Sequence, residues 1–316
     1  MLLDQVQRQA DQALLQLGRR LQADGYRFTC VTPLTQHRNN IRAGNEQAQT
    51  LRDIFGWNRA FNPAVLSADE RAQMQRAGIV EHLGDLWRSR VRWSNLGTLL
   101  LVHSSYPTDS VDAVFFGPDS YRFARVIEAH LRERTTALDH AVDIGCGAGI
   151  GALLIARARR HAQVCALDIN PRALRLTAIN VALAQLANVS VEHSDVLDGV
   201  TGRFDLIVAN PPYMLDAGER AYRHGGGVLG EQLSLRIVEQ ALPRLAPGGT
   251  LLLYTGVAMV EGRDPFLAQV QGTLVDPRWA WRYEELDPDV FGEQLLEPGY
   301  QQVERIAAVM LCVTRR

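Results

Sequence analysis

Apolar positions change their spacing along the chain, and the changes divide it. Over the first 90 or so residues they recur at three- and four-residue steps. Leu2, Leu3, Val6, Ala10, Ala13, Leu14, Leu17 and Leu21 predict an amphipathic helix at the start. The polar stretch 36-QHRNNIRAGNE-46 interrupts that rhythm and predicts a solvated connection, with a loop carrying a functional asparagine pair as the alternative. A second helix is predicted over 67-SADERAQMQRAGIV-80, with Ser67 as cap and acids in its first turn. Residues 91–104, VRWSNLGTLLLVHS, predict two short strands around Asn95-Leu96-Gly97. At 115-FFGPDSYRFARVIEAHLRER-134 the Gly117-Pro118 pair halts the chain, Asp119 or Ser120 can cap, and a helix follows.

From residue 141 the rhythm becomes strand, loop, helix, repeated. AVDIG, VCALDI, VSVEHSD, FDLIVAN and 250-TLLLYTG-256 read as strands. Between them 149-GIGALLIARARR-160, 171-PRALRLTAINVALAQL-186 and 230-GEQLSLRIVEQALPRL-245 read as helices. Continuously apolar strands alternating with amphipathic helices predict an α/β fold: a Rossmann-like, doubly wound, mostly parallel sheet covered on both faces. The expected division is a mainly helical domain with a short β-ribbon at 1–110, then a sheet domain at 111–316. The end, 303-VERIAAVMLCVTRR-316, predicts an edge hairpin or a single last strand.

Composition narrows the functions. The chain has 316 residues, 47% hydrophobic and 22% charged, and its 33 basic and 35 acidic residues leave a net charge of -2. That balance gives no global argument for nucleic acid or an anionic membrane as partner, although a local basic patch stays open. No apolar run approaches the roughly 18–20 residues of a membrane span. The N-terminus lacks a signal peptide's apolar centre, so a soluble, cytoplasmic protein without membrane contact is expected. Cys30, Cys146, Cys165 and Cys312 lie far apart with no CxxC pair, so neither a metal site nor a disulfide framework is expected.

The chemistry concentrates at the strand ends, where open parallel sheets bind ligands. Asp143-Ile144-Gly145-Cys146-Gly147-Ala148-Gly149 ends one strand and opens a helix. Glycines let backbone approach a ligand, and the helix N-terminus offers free N–H groups. Asp168 ends the next strand, where its two acceptor oxygens match a ribose diol. Ser194-Asp195-Val196 ends the third; Asp195 can accept from an adenine amine while Val196 packs on the ring. Asp143 would face the ligand's ammonium group.

DIGCGAG, then ALDIN, then SDV, then NPPY in this order resembles the class I S-adenosylmethionine-dependent methyltransferases, and within them the HemK/PrmC-like NPPY branch (methyltransferase small domain). The resemblance covers about residues 115–256. It implies S-adenosylmethionine as cofactor, held by Phe116, Pro118, Tyr121, Asp143, Gly145, Cys146, Gly147, Gly149, Asp168, Ile169, Asp195, Val196 and Asn210. The segment 115-FFGPDSY-121 resembles the one that closes over the methionine end of the cofactor in that family. It departs from the usual Pro-x-x-Asp-Thr, reading Pro118-Asp119-Ser120-Tyr121.

Asn210-Pro211-Pro212-Tyr213 ends the fourth strand and is read as the catalytic set. A planar –NH2 is a poor nucleophile because its lone pair is delocalised. Acceptors on its two N–H bonds hold it and favour pyramidal geometry as charge develops. The Asn210 side-chain oxygen and the Pro211 carbonyl supply those acceptors from a turn made rigid by two prolines. Tyr213 supplies a flat face for a planar group.

The leading expectation is N-methylation of a glutamine amide in a protein substrate, presented on a loop. An exocyclic amine of adenine or guanine in DNA or ribosomal RNA is the alternative, and a small metabolite a third. For nucleic acid, Arg88, Arg90 and Arg92 with Trp93 offer a basic, aromatic stretch that reads equally as a solvent-facing strand edge. His224, in 222-YRHGGGVLGEQ-232, reads as a surface-loop histidine or a substrate contact. The segment 286-LDPDVFGEQLLEPGY-300, acidic and proline-punctuated, reads as a lid or an interface. Oligomeric state is left open.

Overall fold

The computed structural model describes residues 2–316 apart from 217, 219 and 221, and side chains from residue 5 onward. One unit takes residues 1–109, 114–122 and 175–187; a second takes 110–113, 123–174 and 188–316. In the first, α1 (Leu2–Ala23) buries Ala13, Leu14, Leu17 and Leu21 on one stripe, while Val6 of the predicted stripe is exposed.

Helix α2 (Pro33–Asn40) corrects the reading of 36–46 as a connection throughout. Thr32 caps it by accepting the Thr35 amide, and Pro33 occupies its first position, where a missing N–H costs nothing. Its polar residues serve an internal network. Gln36 is buried and donates to the Trp57 carbonyl at 2.6 Å. Asn39 and Asn40 accept from the Arg59 guanidinium at 2.7 and 3.1 Å. Reciprocal capping boxes start α3 (Leu51–Phe55), with Thr50 and Asp53, and α4 (Ala68–Arg76), with Ser67 and Glu70.

Two antiparallel hairpins complete this unit: β1 (Val80–Leu83) with β2 (Leu86–Ser89), and β3 (Val91–Leu96) with β4 (Leu99–Ser104). The second is the expected ribbon, turning at Gly97 (φ 57). Of the basic residues read as a solvent-facing edge, Arg90 is exposed and Arg88, in β2, is half-buried, but Arg92 is not at the surface. Arg92 is buried and donates to the Ser104 carbonyl, Trp93 is fully buried, and Arg88 pairs with Glu81 at 2.8 Å.

Helix α5 (Pro118–Glu133) follows, and the strand–helix alternation then builds the second unit. It comprises β5 (His140–Ile144), α6 (Ile150–Ala158), β6 (Gln163–Asp168), the start of α7 (Pro171–Leu183, which from residue 175 belongs to the first unit), β7 (Val189–His193), β8 (Phe204–Ala209), α8 (Gln232–Ala241), β9 (Leu245–Val260), α9 (Pro265–Thr273), β10 (Trp279–Asp287) and β11 (Val303–Arg315). The strands form one sheet in the order β10-β11-β9-β8-β5-β6-β7. Pairs from β9 through β7 are parallel; β11 runs antiparallel to both of its neighbours. This is the Rossmann-like sheet the alternation predicts.

Both faces of the central strands are covered, which their unbroken apolar character requires. The core gathers Ile144, Leu167, Ile207, Leu251, Leu253, Val309 and Leu311 with Ile237 and Val238 of α8 and Phe266 of α9. The last strand is single, and it lies inside the sheet because β10 takes the edge. Pro247-Gly248-Gly249 lies within β9, where the pairing with β8 shifts register. Among the described residues no helix is long and apolar enough to cross a membrane.

Candidate active site

The order of strands reverses at β5: β6 and β7 lie to one side, β8 and β9 to the other. A crevice therefore opens beyond the carboxyl end of β5. The registers level the strand ends, with Ile144 beside both Leu167 and Ala209, and Asp168 beside His193. The glycine loop, Asp168, the 194–196 turn and Asn210 thus leave adjoining strands along one rim.

Gly145, Gly147 and Gly149 all have positive φ (64, 56 and 84), a conformation that side chains resist. The loop is fixed from the next strand: the Cys146 amide donates to the Leu167 carbonyl at 2.8 Å and the Gly147 amide to the Asp168 carboxylate at 2.9 Å. A Cβ on Gly145 would meet nothing within 4 Å, so the loop surface is open. The other Asp168 oxygen accepts the Asn170 amide at 2.9 Å. Burial, more than any neighbouring charge, raises the Asp168 pKa above the usual carboxylate value. Ile169 beside it is 51% exposed.

Asp143 sits deeper. It is 1% exposed, and its carboxylate accepts the Ala152 amide in the first turn of α6 at 2.9 Å. Burial pushes its pKa up to about 7. Asp195 is exposed and pairs with Arg236 of α8 at 2.6 Å. Val196 is buried at φ 50, a strained conformation for a β-branched residue. The Ser194 hydroxyl holds that turn, donating to the Val196 carbonyl at 3.0 Å and accepting the Gly199 amide at 2.9 Å.

Asn210 is half-buried, and among the described residues its side-chain amide has no hydrogen-bond partner. Tyr213 is 7% exposed. Its ring rests on the backbone of Gly256 in β9, where a Cβ would lie 2.2 Å from Cε2, and meets Phe291 edge-on with centroids 6.0 Å apart. The chain leaving the motif is wrapped by the following glycine loop: Gly225 would clash with the Pro212 carbonyl, and Gly230 with that of Tyr213, if either carried a Cβ. His224 accepts the Asp216 amide on Nδ1 at 3.2 Å, so it braces this loop. Asp216 is held by the Arg220 guanidinium, which pulls its carboxyl down to about 2.

Phe116, Pro118 and Tyr121 stand in the first unit. Phe116 stacks on His103 (centroids 5.0 Å) and meets Tyr121 edge-on. The Tyr121 hydroxyl accepts the Cys30 amide at 2.9 Å, and burial pushes its pKa up to about 12. Residues the sequence reading missed are Gly256 and Phe291, which touch Tyr213, and Gln294 and Tyr300, which hold Leu215 just beyond the motif, all from strands and turns distant in the chain. Among the described residues no group of three His, Cys, Asp or Glu side chains is arranged to hold a metal ion.

Residues 123–259 match the family Methyltransferase small domain. A release factor glutamine methyltransferase of Lactococcus lactis is 34% identical over 181 residues, covering 53% of this chain and 63% of that protein. One of Deinococcus radiodurans is 40% identical over 123 residues (35% and 44%). A ribosomal protein uL3 glutamine methyltransferase of Neisseria gonorrhoeae is 32% identical over 128 residues (37% and 42%). The chain spans less than two thirds of the length of these curated relatives. The matched segment carries the glycine loop, Asp168, Asp195 and the Asn210–Tyr213 rim along one crevice, so residues 123–259 are similar to the methyltransferase small domain and to the corresponding part of these glutamine methyltransferases.

Proposed function

We propose that the protein methylates a planar –NH2 group, and that its acceptor is the side-chain amide of a glutamine in a protein. One observation carries this: Asn210-Pro211-Pro212-Tyr213 emerges from β8 beside the glycine loop of β5, at the point where the strand order reverses. The donor groups suit S-adenosylmethionine. Each Asp168 oxygen already accepts one backbone amide and has a further lone pair for a ribose hydroxyl. The open face over Gly145 admits the ligand's backbone-hugging part, and exposed Ile169 offers an apolar surface beside it. Asp143 acts from beneath by fixing the first turn of α6. Asp195 and Val196 bound the far side.

The cofactor, when bound, supplies a methyl group already activated for transfer. The chain's task is orientation. The Asn210 side-chain oxygen and the Pro211 carbonyl accept the two N–H groups of the acceptor amide, and the Tyr213 ring bounds the slot. As the nitrogen takes the methyl it becomes cationic, and both acceptors then bind more strongly than before, so they lower the barrier. The proton leaves afterwards, and no charged base is needed.

A protein acceptor is supported by the glutamine methyltransferase names of the relatives. Two of the three arginines that would have favoured nucleic acid are engaged within the first unit, Arg88 with Glu81 and Arg92 by burial, which leaves Arg90 exposed. A cytoplasmic setting suits the four free cysteines. Incubation of the protein with tritiated S-adenosylmethionine and a cell lysate tests the reading. Label lost to protease and stable to nuclease is expected; the reverse would replace the protein acceptor by a nucleic acid.

A further inference from the structure

Residues 290–300 carry an aromatic and polar set that the reaction as described does not use. Phe291 stands at φ 55, an outlier for a bulky side chain. Its ring meets that of Tyr213 edge-on at an interplanar angle of 69°. Tyr300, 2% exposed, accepts the Leu215 amide on its hydroxyl at 2.9 Å. Gln294, also 2% exposed, donates to the Leu215 carbonyl at 3.1 Å and accepts from Arg223. Both backbone polar groups of Leu215, just beyond the tyrosine of the motif, are therefore satisfied by side chains 85 and 79 residues away. A turn that merely closes the sheet needs none of these contacts. The strained Phe291 is retained where it touches the ring that bounds the amide slot.

We propose that residues 290–300 are a strap that sets the geometry of the Asn210–Tyr213 rim for methyl transfer: Phe291 fixes the tilt of the Tyr213 ring, while Tyr300 and Gln294 fix the backbone that leaves it. This rests on the reading of the rim as the site of transfer. The strap residues are positioning residues, acting through Tyr213 and Leu215. Strap and rim lie far apart in sequence, so local opening of residues 290–300 would release the rim without unfolding the sheet.

Tyr300→Phe deletes one oxygen and keeps the packing, whereas Phe291→Leu removes the ring edge and Phe291→Tyr keeps it. Three measurements are made on each full-length variant: deuterium exchange over residues 210–216, S-adenosylmethionine affinity by calorimetry, and the initial rate of tritium transfer into lysate protein. In Tyr300→Phe the Leu215 amide is expected to exchange about tenfold faster, since an acceptor is lost from a buried donor. Transfer is expected to fall about tenfold in Tyr300→Phe and Phe291→Leu, and to be retained in Phe291→Tyr, with cofactor affinity within about twofold throughout. A merely structural role would instead lower cofactor affinity and melting temperature together with the rate. Unchanged exchange in Tyr300→Phe would overturn the strap; faster exchange with an undiminished rate would overturn its part in transfer. If the wild-type chain labels no acceptor, the reading of the rim fails, and the exchange measurement decides the strap by itself.

Discussion

Gly256→Ala is expected to disable methyl transfer while sparing cofactor binding. The added Cβ would stand 2.2 Å from Cε2 and 2.3 Å from Cδ2 of Tyr213. Non-bonded carbons rest at roughly 3.5–4.0 Å, so about 1.5 Å of separation must be recovered. Strand β9 yields little, because Gly256 is paired opposite Ala308 in the middle of the β9–β11 ladder. The ring therefore moves, and with it the residues on either side of Tyr213. Misplacement of reacting groups by about 1 Å costs on the order of 100-fold in rate, and overpacking costs about 1–3 kcal/mol of stability. The assay compares tritium transfer, S-adenosylmethionine affinity and melting temperature for the variant and wild type. Gly272→Ala in α9 is the control, since its Cβ would meet nothing within 4 Å. A folded Gly256→Ala protein that retained most of its transfer rate would refute the claim that Tyr213's position governs the reaction.

Other outcomes follow from the same geometry. Asn210→Ala is expected to leave cofactor affinity nearly unchanged while transfer falls by about 100-fold or more, as for loss of a preorganised polar contact; calorimetry with single-turnover rates separates the two, and surviving turnover would remove Asn210 from the mechanism. Asp168→Ala is expected to weaken cofactor binding by at least about tenfold, since it removes both the diol acceptor and the anchor of the Gly147 amide; unchanged affinity would refute the ribose role. Asp143 carries a pH signature. Burial raises its pKa from 3.8 to about 7, so the folded state keeps a proton that the unfolded chain has lost. Its contribution to stability is full below about pH 4 and is lost as pH rises through about 7. The denaturation midpoint of wild type relative to Asp143→Asn should therefore fall across that window, and a constant difference would show that Asp143 does not titrate there.

Much of the second unit was legible because its signals are local. Strands β5, β6, β8 and β9 are each apolar enough to be buried on both faces, and the glycines and acids that end them stand within a few residues of those runs. The 36–46 segment misled because polarity reads the same whether side chains meet water or each other; the partner that makes α2's asparagines internal, Arg59, is 19 and 20 residues away. Strand β10 escaped notice because an edge strand alternates charged and aromatic residues in place of an apolar run. Tyr213 illustrates the division within the site itself. Its identity and its place after two prolines can be read along the chain, but the surfaces that hold its ring, Gly256 and Phe291, cannot.

The sequence by itself therefore determined the sheet, the order of its chemistry-bearing strand ends and the residue types of the rim, since hydrophobic period, caps and glycine loops act over a few residues. The tertiary structure alone decided that Arg92 of the ribbon turns inward, that Gly256 of β9 backs the Tyr213 ring and that Phe291, Gln294 and Tyr300 hold the Asn210–Tyr213 rim and the residue beyond it. The contacts on the rim join residues tens of positions apart, and only the closure of the sheet, with β11 laid between β9 and β10, brings them into reach.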